Sequence, residues 1–549
     1  MKQYRLRERL HENLLDDILL SRGIAPEHHE QFLNPDFERD SHDPFLLPDM
    51  EQAVERIMSA KKNDEKVAVW SDYDCDGIPG GVMLAEFLRD IGLSVTHYIP
   101  HRHEEGYGLN KEGLDELSAQ GVTLIITVDL GTTDHECVSH TKNKKIDVII
   151  TDHHLCPEKL PDALVINPKR NGSIYPFPDL CGAGVAWKLV QAILSKNRPE
   201  GFAEGREKWL LDLVGLATLS DMVPLRGENR MLAHFGLRVL RRARRPGLAA
   251  LCEVLRIKPA SLTEDDIGFM ISPRINAASR MGSPESAAKL LGSHDAGQAL
   301  FLAGELNKIN DERKVAVASV VKEANKRLLI QSVESPVVVM GSPNWRPGIL
   351  GLVANSLSES HQKPVCLWGR EGGDVVRGSC RAQGVSVVEW MSGARELFDD
   401  FGGHRGSGGF SLAQERVHEL QAKLALSYAA LQAQGALAPE AAIDRELDIA
   451  EVKHSLAEVR RLSPFGVGFE KPLFIFPGVS VGAVRAFGKQ RNHLELRLSK
   501  SGSGICGVSF FTGPDSFSKK VAAGERADVV GNIESDWHGS PRLRVIDII

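Results

Sequence analysis

At 549 residues, 42% hydrophobic and 25% charged, the chain has the composition expected of a soluble globular protein and is too long for one core, implying about three or four domains. No apolar stretch approaches the ~20 residues that cross a bilayer, and the charged start "MKQYRLRERLHENLLDD" lacks the pattern of a secretory signal. Eight scattered cysteines with no CxxC pair argue against a disulfide framework or zinc ribbon and suit the cytoplasm, while a net charge of −7 decides nothing about nucleic-acid binding.

From about residue 51 to 230, "KVAVWSD" (66–72), "TLIITVD" (123–129), "DVIITD" (147–152) and "ALVINP" (163–168) read as strands buried on both faces, because their apolar character is continuous. "GGVMLAEFLRDIG" and "KEGLDELSAQG" read as the intervening helices, stopped by glycine. Alternation of this kind predicts a parallel sheet flanked by helices. In "LRVLRRARRPG", Arg238, Arg241, Arg242 and Arg245 fall at i, i+3, i+4 and i+7, either a stripe that tracks a phosphate backbone or a solvated helix face. Residues 299–330 carry no glycine or proline after Gly304 and read as one long connecting helix. A second α/β unit follows with "PVVVMG" (336–341), "KPVCLW" (363–368) and the glycine-rich "FGGHRGSGGF" (401–410). After a further helical pattern, "HLELRLS", "GICGVSFF", "ADVVGNIES" and "PRLRVIDI" alternate as strands of a small β-barrel do.

The chemistry concentrates where the first strands end. "SDYDCDG" places Asp72, Asp74 and Asp76 at alternate positions, "VDLG" adds Asp129, and "TDHH" adds Asp152, His153 and His154. In a parallel sheet the carboxyl ends of the strands share one edge, where ligands collect. Asp221 in "LATLSDMVPL" also follows an apolar run. Any one of these aspartates alone reads as a turn or cap residue; together, carboxylates and imidazole form a donor set for two Mg²⁺ or Mn²⁺ ions, histidine favouring manganese.

In order and context, "DYDCDG", "VDLG", "TDHH" and "SDMVPL" resemble the motifs of the DHH phosphoesterases. "IPHRHEEGYGLN", "ISPRINAASRMG", "LNKINDERK", "RGSCRA" and "LSPFGVGFEKPLFIF" narrow the resemblance to the RecJ branch, over roughly residues 45 to 549. That resemblance implies an α/β fold: a parallel-sheet DHH domain joined by a long helix to a DHH-associated α/β domain, with a C-terminal OB-fold barrel. Expected boundaries are 1–50 for an N-terminal segment, 51–230 for the catalytic domain, 231–330 for a helical region and connecting helix, 331–435 for the DHH-associated domain and 436–549 for the OB-fold. It implies a single-stranded-DNA-specific exonuclease that works 5′→3′, releases 5′-mononucleotides and acts in recombination and repair.

The resemblance assigns Asp74 to a first metal, Asp76 to a second and Asp129 to both, with His153 and Asp221 completing the second. Asp72 lies adjacent, and His154 faces the scissile phosphate. Arg280, Ser379 and Arg381 would clamp the strand's 5′-phosphate, Arg102 would meet a backbone phosphate, and Tyr107 would offer its ring to a base. Arg274 and Asn276 share a motif with Arg280, and equally suit holding that segment in shape. Gly402, Gly403 and His404 would present backbone NH groups and an imidazole to phosphates. In the barrel, Phe487 and Trp537 are available for stacking or for core packing. Expected partners are single-stranded DNA with a 5′ end, single-strand-binding protein and a helicase, with no membrane and a monomeric state.

The wording departs from the usual family pattern at "GIPGG", "DLGTTDHE" and "GSGGF", bearing on substrate preference and rate rather than on the ligands. Two rival readings stand beside this one: a DHH phosphodiesterase of short oligonucleotides or cyclic dinucleotides, and a non-catalytic DNA-binding scaffold.

Overall fold

A computed structural model describes residues 4–200, 202–330, 335–370, 375–433, 441–488, 491–514, 516–520, 522–536 and 538–549. The chain divides into two compact units, one of Asp43–Asp221 with Gly236–Ala438, the other of Met1–His42, Met222–Phe235 and Pro439–Ile549. The boundaries expected at 330/331 and 435/436 abut residues 331–334 and 434–440, which lie outside the described residues.

The larger unit contains two sheets. Strands β1 (Lys66–Ser71), β2 (Ser94–Tyr98), β3 (Val122–Val128), β4 (Asp147–Thr151) and β5 (Leu164–Ile166) pair in the order β2-β1-β3-β4-β5, all parallel. Val67, Ala68, Val69 and Trp70 are buried, as are Leu124, Ile125 and Ile126, which accounts for their unbroken apolar runs. The edge strand β2 escapes that reading because "SVTHY" alternates and only part of it is covered. Helix α1 (Gly77–Asp90) begins three residues before the expected start. It lies against helix α4 (Gly182–Asn197), with α2 (Lys111–Ala119) and α3 (His135–Asn143) intervening in the chain. A Cβ at Gly80 would stand 2.8 Å from Val128 and 2.9 Å from Ala183, and one at Gly81 would stand 2.4 Å from His97 Nε2. "GIPGG" therefore reflects close packing at the start of α1.

Helix α5 (Leu211–Ser220) is followed by a helix that ends at Leu240, so the arginine stripe does not form. Arg245 caps the next helix instead, and its guanidinium is held by Asp212 at 2.9 Å and Glu86 at 2.8 Å. Arg241 donates to the Leu262 carbonyl. Helix α6 (Ser272–Met281) and the long helix α7 (Ala296–Ile330) pack together; at 1.5 Å per residue α7 runs for about 50 Å. The second sheet has strands β6 (Val338–Ser342), β7 (Val365–Arg370), β8 (Val375–Arg381), β9 (Asp400–His404) and β10 (Ser407–Ala413), in the order β9-β10-β8-β7-β6. Helix α8 (Pro347–His361) packs on β7 and β8. The glycine-rich stretch is the β9–β10 hairpin rather than an open loop; His404 pairs with Ser407 across its turn.

In the smaller unit, β11 (Phe474–Phe487), β12 (His493–Lys500), β13 (Ser503–Ser509), β14 (Arg526–Ser535) and β15 (Pro541–Ile548) form the closed five-stranded barrel of an OB-fold, in the order β11-β12-β13-β15-β14 with β14 paired back to β11. Its core includes Phe474, Phe476, Leu494, Leu496, Val529 and Leu543, and Leu14, Leu15, Ile18 and Leu19 of the N-terminal segment join that core. Arg230 is buried in this unit, its guanidinium 3.5 Å over the Phe32 ring while it donates to the carbonyls of Phe32, Leu462 and Pro464. Phe487 sits in a ring cluster with His493 and Phe510; Trp537 lies outside the described residues.

Candidate metal centre

The carboxyl edge of the first sheet is a staircase. Asp72 N–H donates to the Val128 carbonyl, Asp129 N–H to Thr151 and Asp152 N–H to Ile166. Each acidic residue is thus fixed by the neighbouring strand just as its own strand stops. Asp129 has φ +66°, a left-handed conformation that aspartate adopts more readily than most residues.

Asp74 Oδ1 accepts from the N–H groups of Asp76 and Gly77 at 2.7 and 3.0 Å. Asp76 accepts from Gly182 and Ala183 N–H at 2.6 and 2.8 Å, the N-terminal amides of α4, where a negative charge is favoured. Asp221 follows the last residue of α5 as its C-cap, so its apolar run is a helix and not a strand. His153 Nε2 then faces three carboxylates: Asp129 at 3.2 Å, Asp221 at 3.7 Å and Asp76 at 3.8 Å.

Three overlapping groups bring ligand atoms within 4.8 Å of one another: Asp72, Asp74 and Asp129; Asp76, His153 and Asp221; and Asp129, His153 and His154. Asp129 belongs to two of them. Asp72 Oδ1 and Asp129 Oδ1 are buried and accept no hydrogen bond. Buried acceptors of this kind need a partner, and a divalent cation fits both their hardness and their charge. Burial, and then the charges of Asp74 and Asp76, push Asp129 and Asp221 well above the ordinary carboxylate range. Burial and Asp74 do the same to Asp72, and take Asp76 up to about 7. Burial followed by the neighbouring His154 lowers His153 to about 3, leaving a neutral imidazole with a lone pair to donate.

Asp152, quoted within "TDHH" but assigned no role by the sequence, orients His154. Its Oδ1 lies 2.8 Å from His154 Nδ1 and accepts from the His153 and His154 amides, while Oδ2 accepts from Thr132 N–H. Burial lowers the His154 imidazole, but the Asp152 bond outweighs it and holds the group above its ordinary value. Asn167 donates to the His154 carbonyl at 2.9 Å. The amides of Gly182 and Ala183 were likewise invisible as ligand holders; only the small residues of "CGAGVAW" hinted at a close approach. A Cβ at Gly182 would stand 2.4 Å from Asp129 Cβ.

The residues expected to bind substrate fall around this edge. Arg102 lies 4.8 Å over the ring of Tyr73, between Asp72 and Asp74 in the chain. Tyr107 has a half-exposed ring, and its hydroxyl donates to the Asp129 carbonyl at 3.2 Å. His404 stacks toward His154 with ring centroids 6.5 Å apart, while Gly402 and Gly403 are exposed beside it on the hairpin. Arg280 donates to the Gly348 carbonyl at the start of α8. Ser379 and Arg381 lie on the same side of β8, both near Gly351 of that helix. Burial and the charges of Arg102, Arg313 and Arg381 pull Arg280 down to about 9. Arg274 instead donates to the Met270 carbonyl and to Asn307 Oδ1 on α7. Asn276 is partly buried on the same helix.

The model of the DHH family, N-terminal domain, matches residues 66–218, the DHHA1 domain matches 325–429 and the RecJ OB domain matches 443–546. The single-stranded-DNA-specific exonuclease RecJ of Bacillus subtilis is 32% identical over 99% of this chain and 69% of its own length. That of Salmonella typhimurium is 31% identical over 90% of this chain and 89% of its own. The crystal structure of RecJ from Thermus thermophilus in complex with Mn²⁺ superposes with a TM-score of 0.79 at 26% identity, covering 100% of this chain and 79% of that one. The complex of the same protein with Mg²⁺ gives 0.74 at 25% identity, covering 100% and 78%. With the three domain models in chain order and relatives above 30% identity that match 90% or more of this chain, the chain belongs to the RecJ family of single-stranded-DNA-specific exonucleases.

Proposed function

We propose that the protein hydrolyses single-stranded DNA from its 5′ end, releasing 5′-mononucleotides, with two Mn²⁺ or Mg²⁺ ions held at the carboxyl edge of the first sheet. The observation that carries this reading is the run of three three-ligand groups, joined to one another at Asp129 and at His153, with buried carboxylate oxygens left without donors. When bound, two such cations lower the pKa of water and neutralise charge on a phosphoryl group during in-line attack. Asp72 and Asp74 would hold the first, Asp76, His153 and Asp221 the second, and Asp129 would serve both. His154, fixed by Asp152, whose carboxylate favours the protonated imidazole, faces the scissile phosphate and stabilises charge that builds on its oxygens. Arg280, Arg381 and Ser379 receive the terminal 5′-phosphate, setting the polarity. Arg102 holds the following phosphate, and Tyr107 offers its ring to a base.

On this reading residues 51–230 carry the chemistry, 331–435 the end-binding face and 436–549 a barrel that adds affinity for the single strand. The protein works as a monomer in the cytoplasm, in recombination and repair, alongside single-strand-binding protein and a helicase. No helix among the described residues is long and apolar enough to cross a membrane. A digestion time course on strands labelled at either end, with and without Mn²⁺, tests the assignment. Metal-dependent release of labelled mononucleotide from the 5′ end supports it; release from the 3′ end, or faster turnover of dinucleotides than of long strands, contradicts it.

A further inference from the structure

The loop between β2 and α2 touches two places whose spacing the chemistry depends on. On the metal side, Arg102 lies 4.8 Å over the ring of Tyr73, and Tyr107 donates to the Asp129 carbonyl at 3.2 Å. On the other side, His103 Nε2 lies 3.2 Å from the Arg280 carbonyl, in the last turn of α6. A carbonyl can only accept, so Nε2 is the nitrogen that carries the proton. The last carbonyls of a helix have no partner within it, and a side-chain donor there holds the helix end in place. The same imidazole lies against the start of α8. A Cβ at Gly348 would stand 2.9 Å from its Cε1 and 2.9 Å from the Arg280 carbonyl oxygen. Arg280 in turn donates to the Gly348 carbonyl at 3.0 Å. Three residues on, a Cβ at Gly351 would stand 2.7 Å from Arg381 Nη2 and 3.5 Å from Ser379 Oγ. The loop, α6 and α8 therefore meet in direct contact at His103, Arg280 and Gly348. The loop is itself tied together: Glu105 accepts from the Tyr98 hydroxyl, the His101 amide and Asn110. The His101 carbonyl accepts from the amides of Glu104 and Glu105.

We propose that His103 is a positioning residue: by holding the end of α6 from the loop that also lies along the metal edge, it sets the distance from Arg280 to the metal-binding carboxylates, and with it the length of each product. This rests on the proposed function, in which Arg280 receives the terminal phosphate, and deepens it. Once that phosphate is held, spacing alone decides which internucleotide linkage reaches the carboxylates. A displacement of about 1 Å costs about a hundredfold in rate at a well-aligned site, so a loosened helix end lowers the rate at the first linkage and lets the second compete. His103 acts through Arg280 and touches no reacting atom.

The experiment compares the full-length protein with His103→Leu, which keeps bulk and removes the donor, and His103→Gln, whose amide N–H can still reach the Arg280 carbonyl. The substrate is a long single strand labelled at its 5′-phosphate, in Mn²⁺, with products resolved by length. Wild type and His103→Gln are expected to release labelled mononucleotide. His103→Leu is expected to release labelled dinucleotide beside it, with kcat lowered about tenfold and KM moved less than about twofold. A residue that held phosphate directly would raise KM instead. Both variants should melt within about 2 °C of the wild type. Mononucleotide alone from His103→Leu at an undiminished kcat overturns this inference alone. So does an equal defect in His103→Gln, a raised KM with kcat unchanged, or a larger fall in melting temperature, which would make the contact one that holds the fold. A wild-type enzyme that removes nothing from 5′ ends overturns the proposed function and this inference with it.

Discussion

Replacing Asp129 by asparagine separates its metal-holding role from any role in holding the fold. Asparagine is nearly isosteric and tolerates the +66° φ at this position, so the change removes the ionisable carboxyl, whose charged form burial already disfavours, and little else. The Asp129 ligand oxygen lies within 4.8 Å of those of Asp72 and Asp74. At an effective dielectric constant near 20, each such pair of full charges repels by about 3 kcal/mol. Protons borne by the neighbouring carboxylates, Asp76 being raised to about 7, offset much of this, so a net relief of about 2 kcal/mol is expected. Without metal, Asp129→Asn should therefore melt about 2 °C above the wild type. Adding Mn²⁺ should reverse the order. A cation at a hundred times its dissociation constant stabilises the wild type by about 2.7 kcal/mol, and a variant lacking the shared ligand should lose most of that. Activity should fall by about a thousandfold. Differential scanning calorimetry in EDTA and in Mn²⁺, with nuclease rates on the same samples, reads all three. A variant that is less stable in EDTA yet gains as much from Mn²⁺ as the wild type would refute the reasoning.

Gly182→Ala puts a Cβ 2.4 Å from Asp129 Cβ, so it should weaken Mn²⁺-induced stabilisation and cut kcat at least tenfold, read by calorimetry and nuclease rate. Arg245→Ala leaves Asp212 and Glu86 without the cation that bonds them at 2.9 and 2.8 Å, and denaturant unfolding should show a loss of about 3 kcal/mol or more. Arg280→Ala should raise KM for 5′-phosphorylated strands far more than it lowers kcat; the opposite split in steady-state kinetics would place Arg280 in the transition state. Burial, followed by the charge of Arg89, lowers His97 to about 3, below its unfolded value near 6.5. Between those values only the unfolded state takes up the proton, so His97 leaves stability intact above pH 6.5 and erodes it as pH falls toward 3. His97→Gln should flatten the decline between pH 7 and 5 by about 2 kcal/mol, measured by urea unfolding at each pH.

The parts of this fold that could be read in advance are those where burial leaves no choice of residue. Strands β1, β3 and β4 are covered on both faces and carry unbroken apolar runs; the half-covered edge strand β2 alternates and offers no such run. The acids stood out because a strand end has no other use for three of them, yet the backbone amides that hold Asp76 come from a helix more than a hundred residues away. Periodicity misled at Arg238 to Arg245, where the helix stops at Leu240 and the last arginine turns inward to two carboxylates that lie far away in the chain. The hairpin at 400–413 was hidden by its glycines, which give no alternation to read. Asn310 looks like an ordinary surface residue of a long helix, yet it is fully buried.

The central claim is that side chains from separate segments seat two divalent ions. Diffraction from crystals grown in Mn²⁺, recorded at the manganese absorption edge, tests it most directly. Two anomalous peaks about 4 Å apart are expected, one beside Asp72 and Asp74, one beside Asp76, His153 and Asp221, with Asp129 between them. A single peak elsewhere, or carboxylates that remain without metal at saturating Mn²⁺, would contradict it.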